Sequence, residues 1–280
     1  VMRRPWPILI GVGALLLACA SPVLGIRTGI DLNARAMSSA PSIKPLRVLQ
    51  THFGTASLGP IEVLVRALRQ EVGLPIHFHT HDCAGGQIAS YLLAAEEGVS
   101  IVDCAMAPFS SMTSQPSLHA LVEALRFRPR YPALDDEALQ EVADYWQGVR
   151  RLYTTFETGQ LAPTADVYVN EMPGGQYTNL YAQAKALDLE PRWREVCRMY
   201  AEVNRLFGDI IKVTPTSKVV GDMALFMVGN NLTPADVLTG TKELSFPESV
   251  VEFFEGRLGE PPGGFPPALQ QRVLRGRAPI

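Results

Sequence analysis

The chain has 280 residues and a formal net charge of −3; 47% of its residues are hydrophobic and 19% are charged. A chain this long and apolar buries a sizeable core, which excludes a disordered charged tail, and its mild acidity excludes a globally basic nucleic-acid-binding surface. The four cysteines, Cys19, Cys83, Cys104 and Cys197, form no Cys-x-x-Cys pair, so neither a zinc ribbon nor a disulfide scaffold is expected.

In chain order, residues 1–25 form an apolar leader. Met2-Arg3-Arg4 precedes an apolar run from Trp6 to Ala20, and small residues follow, which is a signal-peptide pattern. Leu16-Leu17-Ala18-Cys19 also resembles a bacterial lipoprotein cleavage box. The competing reading is translated upstream sequence with no sorting role. Residues 26–60 lack periodicity and read as a linker.

From Ile61 the rhythm is clear. Ile61–Val72 is expected to be helical, with Ile61, Leu64, Val65, Leu68 and Val72 on one face and Gly73 as its stop. Leu74–Thr80 is expected as a strand, Gln87–Glu97 as a helix and Ser100–Met106 as a second strand. Connections this short imply a parallel α/β arrangement, and two strands alone imply a larger sheet. Helices are then expected at Leu118–Phe127, Asp135–Phe156, Arg192–Phe207, Thr233–Leu238 and Phe246–Gly256. Their aromatic stripes, Trp146, Tyr153 and Phe156 on one and Trp193 and Tyr200 on another, read as core.

The chemistry concentrates in Leu74-Pro-Ile-His-Phe-His-Thr-His-Asp82. Side chains alternate along a strand, so His77, His79 and His81 share a face, successive ones about 7 Å apart. Imidazoles so spaced at a strand's C-terminal end can clamp one divalent metal, and Asp82 can orient a ligand or line the pocket. The plain alternative is a set of polar histidines holding nothing. A metal also needs more than two ligands.

Several stretches then carry a family resemblance: Val63-Leu-Val-Arg-Ala-Leu-Arg69, Gly73-Leu-Pro-Ile-His-Phe-His-Thr-His-Asp82, Ser111-Met-Thr-Ser-Gln-Pro-Ser117, Glu171-Met-Pro-Gly-Gly-Gln-Tyr-Thr-Asn-Leu180, Gly208-Asp-Ile-Ile-Lys-Val-Thr-Pro-Thr-Ser-Lys-Val-Val-Gly-Asp222 and Leu244-Ser-Phe-Pro-Glu-Ser-Val-Val-Glu252. Residues of about 63–278 resemble the carboxyltransferase domain of pyruvate carboxylase. The same domain occurs in the oxaloacetate decarboxylase α subunit and the transcarboxylase 5S subunit.

The resemblance implies an α/β fold: the C-terminal part of a (β/α)8 TIM barrel over residues 61–130, followed by a mainly helical extension over 131–280. It implies transfer of carboxylate from carboxybiotin to pyruvate, giving oxaloacetate. It assigns His79 and His81 as ligands of a divalent metal (zinc, manganese or magnesium), Thr214 as proton shuttle, and Ser217 and Lys218 to the biotin pocket. Biotin would arrive on a carrier domain elsewhere, since no lysine here has a carrier's Met-flanked setting. The family is homo-oligomeric and cytoplasmic; the leader alone points to export. Without the resemblance, Thr214-Pro215 reads as a helix-start turn, Lys218 as a surface lysine, Pro173-Gly174-Gly175 as a turn, Thr113-Ser114-Gln115 as a site loop or helix cap, and Cys83 as a packing residue or a reactive thiol.

The chain departs from the family at its start. The family's metal-binding carbamylated lysine aligns with Gln50, and no lysine lies between Lys44 and Lys185. The family's first-strand Asp ligand and pyruvate-binding Arg have no counterpart in residues 1–62. The expectation is therefore a truncated or frame-shifted carboxyltransferase. Two other functions compete with it. One is an exported or lipid-anchored non-enzymatic remnant. The other is a different metal-dependent lyase that recruits His77 or His52.

Overall fold

The computed structural model describes residues 60–239 and 243–280. The leader, nearly all of the linker, and with them Cys19, Lys44, Gln50 and His52, lie outside the described residues, as does Lys242.

Helix α1 (Pro60–Glu71) has Glu62 in its first turn and Arg69 in its last, both favourable to the helix dipole. Val63 and Val65 are buried, but Leu64, Leu68 and Val72 of the expected core face are exposed. The helix packs on α2 (Gln87–Glu96), so only one flank is covered. Arg66 Nε donates to Glu97 Oε2 at 2.8 Å, tying α1 to the end of α2.

The two expected strands are present but short. β1 (His77–Phe78) pairs in parallel with β2 (Ile101–Val102), His77 opposite Ile101 and Phe78 opposite Val102. With a neighbour on one side only, each strand keeps its ladder for two residues. The described residues therefore hold one strand–helix–strand–helix unit, and the (β/α)8 barrel is not evident among them. Two small apolar clusters stabilise this unit. Phe78 meets Tyr91 edge to face at 5.2 Å, and Leu121 and Leu125 of α3 (Leu118–Leu125) close the same side. Tyr91 Oη donates to the Asp103 carbonyl at 2.6 Å.

Helix α4 (Asp136–Arg150) is capped by Asp135, whose side chain accepts from Glu137 N and Ala138 N, both at 3.0 Å. It ends in a 3-10 turn over Arg151–Phe156. Its aromatic stripe is not core. Only Ala143 is buried, while Tyr153 and Phe156 are exposed. Trp146 and Tyr153 each contact Phe109 edge to face at 5.7 Å, forming a surface aromatic cluster. Helical spacing predicts an apolar face but not what covers it.

The main core lies in the helices that follow: α5 (Val167–Asn170), α6 (Gly174–Ala186), α7 (Trp193–Leu206), α8 (Thr216–Gly229), α9 (Pro234–Thr239), α10 (Glu248–Phe254) and α11 (Pro267–Leu274). Helix α8 is apolar nearly all round after Lys218, and it packs on α6, α7 and α10 as a central element must. The stripe on α7 is core as expected, with Val196, Tyr200 and Val203 buried. Phe207, Phe253, Phe254 and Phe265 interlock beneath it, with ring centroids 5.1–5.5 Å apart. Gly221 lets α6 approach α8 closely, since a Cβ there would lie 2.4 Å from Gln176 Nε2. Among the described residues no helix is long and apolar enough to cross a membrane.

Candidate functional site

His77 lies in β1, and His79 and Asp103 lie just past the ends of β1 and β2, where Asp103 N still donates to the Phe78 carbonyl at 3.4 Å. Asp103 takes both histidines. Its Oδ1 lies 2.8 Å from His77 Nε2 and its Oδ2 lies 2.7 Å from His79 Nδ1. These bonds, from His77 and then His79, hold the Asp103 carboxyl below its ordinary range, so it is ionised and only accepts. Both imidazole nitrogens must therefore donate. His79 thus donates from Nδ1, and its Nε2 has no hydrogen-bond partner among the described residues. His81 reaches the same state by another route, because its Nδ1 lies 2.5 Å from the Thr113 carbonyl, which also only accepts. The His79 and His81 rings stand edge to face with centroids 5.1 Å apart.

Asp82 is buried, and its carboxylate is fully engaged in structure. Its Oδ1 accepts from Gln87 N at 3.0 Å, at the start of α2, and its Oδ2 accepts from Ser111 Oγ at 2.6 Å. Its backbone N donates to the Ser114 carbonyl at 2.8 Å. Asp82 thus ties the 110–115 loop to the end of the histidine strand. Ser111 and Met112 take left-handed φ values of 71° and 53°, and Ser111 N donates to the Gln115 carbonyl at 2.8 Å. The loop so formed presents the Thr113 carbonyl to His81. Burial pushes the Cys83 thiol up from its ordinary value, which fits a packing residue better than a nucleophile.

Gly174, the first residue of α6, backs this arrangement. A Cβ there would lie 2.7 Å from the Thr113 carbonyl oxygen and 2.8 Å from His81 Nδ1. The Pro173-Gly174-Gly175 stretch is therefore a helix start pressed against a candidate ligand. A cleft of about 260 Å³ opens alongside, lined by Ser111, Thr113, Arg150, Tyr153, Gln160 and Thr178 among others.

The three residues assigned to chemistry by resemblance lie just before or in the first turn of α8. Thr214 is exposed, precedes a cis Thr214–Pro215 bond, and makes no hydrogen bond among the described residues. Ser217 is buried in the first turn of α8, and its carbonyl accepts from Tyr200 Oη at 3.2 Å. Lys218 is exposed and its Nζ donates to Asp222 Oδ2 at 2.5 Å; Ser249 Oγ donates to the same oxygen at 2.5 Å. No hydrogen bond or ion pair among the described residues joins Thr214, Ser217 or Lys218 to His79 or His81. The first turn of helix α6 touches both regions, with Gly174 at His81 and Gln176 at Gly221 of α8. Glu171, at φ 59°, holds the segment before Thr214 by accepting from Lys212 Nζ at 2.9 Å and Asn204 Nδ2 at 3.0 Å.

Three features of the site carry little sequence signal: Asp103, the Thr113 carbonyl and Gly174. Asp103 was readable as a polar residue inside an apolar strand, and Gly174 from the Pro-Gly-Gly run at a helix start. As for a metal, among the described residues no group of three or more His, Cys, Asp or Glu side chains converges. Two imidazoles with free Nε2 atoms fit in kind as two members of a donor set.

Comparison with known proteins shows what the chain is similar to. Residues 167–280 match a family described as a conserved carboxylase domain. The chain is a homologue of the carboxyltransferase region of pyruvate carboxylase. It is 48% identical to pyruvate carboxylase of Bacillus subtilis over 217 residues, covering 78% of this chain and 19% of that protein. The human mitochondrial pyruvate carboxylase is 45% identical over 216 residues, 76% of this chain and 18% of that protein. The carboxyl transferase domain of Rhizobium etli pyruvate carboxylase, solved with pyruvate and biocytin, is 52% identical with a TM-score of 0.76, covering 80% of this chain and 38% of that one. The chain thus spans about a fifth of the length of the curated relatives it matches.

Proposed function

We propose that this chain supplies part of a biotin-dependent carboxyltransferase centre that moves carboxylate from carboxybiotin to pyruvate, giving oxaloacetate. One observation carries the reading. His79 and His81 hold their Nδ1 protons on oxygen acceptors and leave two Nε2 atoms free, in a chain 52% identical to a domain solved with pyruvate and biocytin.

A divalent cation (zinc, manganese or magnesium), when bound, supplies Lewis acidity that eases removal of a proton beside a carbonyl. His79 and His81 would hold it through Nε2. As the N–carboxylate bond of a visiting carboxybiotin breaks, Thr214 Oγ1, exposed at the head of α8, would take the methyl proton of pyruvate and give a proton to the vacated ureido nitrogen, and the released CO₂ would add to the methylene carbon. Ser217 and Lys218 lie on the first turn of the same helix and donate toward the ureido oxygen. Lys218 leaves Asp222 to do so at little cost, because an exposed helical ion pair contributes only about 0.3–0.5 kcal/mol. The biotin itself rides on a carrier outside this chain. The rival lyase reading would need His77 to bind through Nδ1, since its Nε2 is bonded to Asp103.

The test is manganese binding by electron paramagnetic resonance, together with biotin-stimulated decarboxylation of oxaloacetate by the purified chain. Slow turnover is expected, with Mn²⁺ binding lost in His79→Ala and turnover lost in both His79→Ala and Thr214→Ala. Binding and turnover indifferent to those substitutions would overturn the proposal. Binding that depends on the histidines without any turnover would favour a non-catalytic remnant.

A further inference from the structure

We propose that Asp103 is a positioning residue. Resting on the reading that His79 and His81 hold a cation, the structure assigns Asp103 the task of fixing His79 in its Nδ1–H tautomer. The Nε2 lone pair is then the one presented for coordination.

The argument starts from the sheet. The paired strands end at Phe78 and Val102, so His79 and Asp103 are the next residues on neighbouring segments, and a short carboxylate meets the imidazole directly. Both oxygens are used, Oδ2 by His79 Nδ1 at 2.7 Å and Oδ1 by His77 Nε2 at 2.8 Å. A carboxylate held at both oxygens cannot rotate, so His77 acts as a brace that keeps Oδ2 aimed at His79. The backbone is pinned too, since Tyr91 Oη donates to the Asp103 carbonyl at 2.6 Å. The consequence is chemical. An unrestrained neutral imidazole exchanges its proton between two nitrogens, and in the wrong tautomer Nε2 offers a proton where a cation needs a lone pair. A carboxylate hydrogen-bonded behind a ligating histidine removes that ambiguity and raises ligand basicity. His81 has a backbone carbonyl in this role, so of the two histidines only His79 depends on a side chain.

The experiment uses the full chain labelled with ¹⁵N-histidine, metal-free at pH 8, with long-range ¹H–¹⁵N correlations reporting each tautomer. Mn²⁺ affinity is measured on the same samples. His79 in the wild type is expected as the Nδ1–H form. Asp103→Ala is expected to release that tautomer and to weaken Mn²⁺ binding by about 10–100-fold, the usual effect of removing a carboxylate behind a ligand. Asp103→Asn keeps the shape but replaces one acceptor oxygen by an NH₂ donor, so either His77 or His79 must give up its donation and change tautomer. This variant serves where the alanine variant does not fold. An unchanged His79 tautomer with unchanged affinity in Asp103→Ala would overturn the proposal, as would the absence of any switch in Asp103→Asn. If the wild type binds no Mn²⁺ while the His79 tautomer still follows Asp103, the positioning stands and the cation reading fails.

Discussion

Replacing Gly174 by alanine sets two effects of opposite sign against each other, and the geometry decides between them. A Gly→Ala change at a position with an ordinary backbone stabilises by about 0.4–1 kcal/mol, because the unfolded chain loses freedom. At Gly174 the added methyl would sit 2.7 Å from the Thr113 carbonyl oxygen, 2.8 Å from His81 Nδ1 and 2.9 Å from His81 Cβ. None of these atoms is the free end of a flexible side chain. Overpacking of this kind costs about 1–3 kcal/mol, so a net loss of about 1–2 kcal/mol is expected. The neighbouring Gly175 is the internal control. Its added methyl would meet only His81 Cε1 at 3.7 Å, ordinary contact, and a gain of about 0.5 kcal/mol is expected. Urea unfolding read by tryptophan fluorescence separates the two, with midpoints moving in opposite directions at constant slope. Gly174→Ala is also expected to weaken Mn²⁺ binding, because His81 must swing off the Thr113 carbonyl. Equal midpoints for the two variants would refute the claim that α6 is pressed against the histidine.

Phe254→Ala empties a fully buried position within the Phe207, Phe253 and Phe265 cluster and is expected to cost about 3–5 kcal/mol in urea unfolding, whereas Phe127→Ser, 95% exposed, should stay within about 0.5 kcal/mol. The hydrogen bond from Arg66 lowers the Glu97 carboxyl from its ordinary 4.5, so the pair's contribution is present above that pH and is lost as pH falls through the lowered folded value. The stability gap between wild type and Arg66→Ala should therefore be small and flat at neutral pH, because the pair is partly exposed, and should close below pH 4.5. Burial pushes the Cys104 and Cys197 thiols up to about 11 and about 12, so both should resist iodoacetamide at pH 8 until the chain is unfolded, as peptide mapping would show.

How much was legible follows from which forces are local. The α7 stripe is set by backbone period, and periodic spacing reveals it directly, whereas of the three histidines only His77 lies within β1. The α4 stripe has the same spacing yet lies on the surface, because burial depends on a partner that spacing does not encode. The strands at Leu74–Thr80 and Ser100–Met106 were legible as apolar runs, but their length depends on neighbouring strands, and one neighbour sustains only two residues of ladder. The parts of the site that escaped are non-local pairings. His79 with Asp103 and His81 with Thr113 are 24 and 32 residues apart, and Gly174 acts by having no side chain at all.

The large core lies among α6 to α11, while the histidine strand rests on two small clusters. Local opening costs least where few apolar contacts must be broken. Amide hydrogens on β1, β2 and α1 should therefore exchange through small, frequent openings, while those of α8 wait for the whole helical part to unfold. Among the described residues, the segment that carries His79 and His81 is thus the softer part, built against a firm wall that meets it at Gly174. Whatever those histidines grip would, by gripping, lend that end an order it holds only loosely alone.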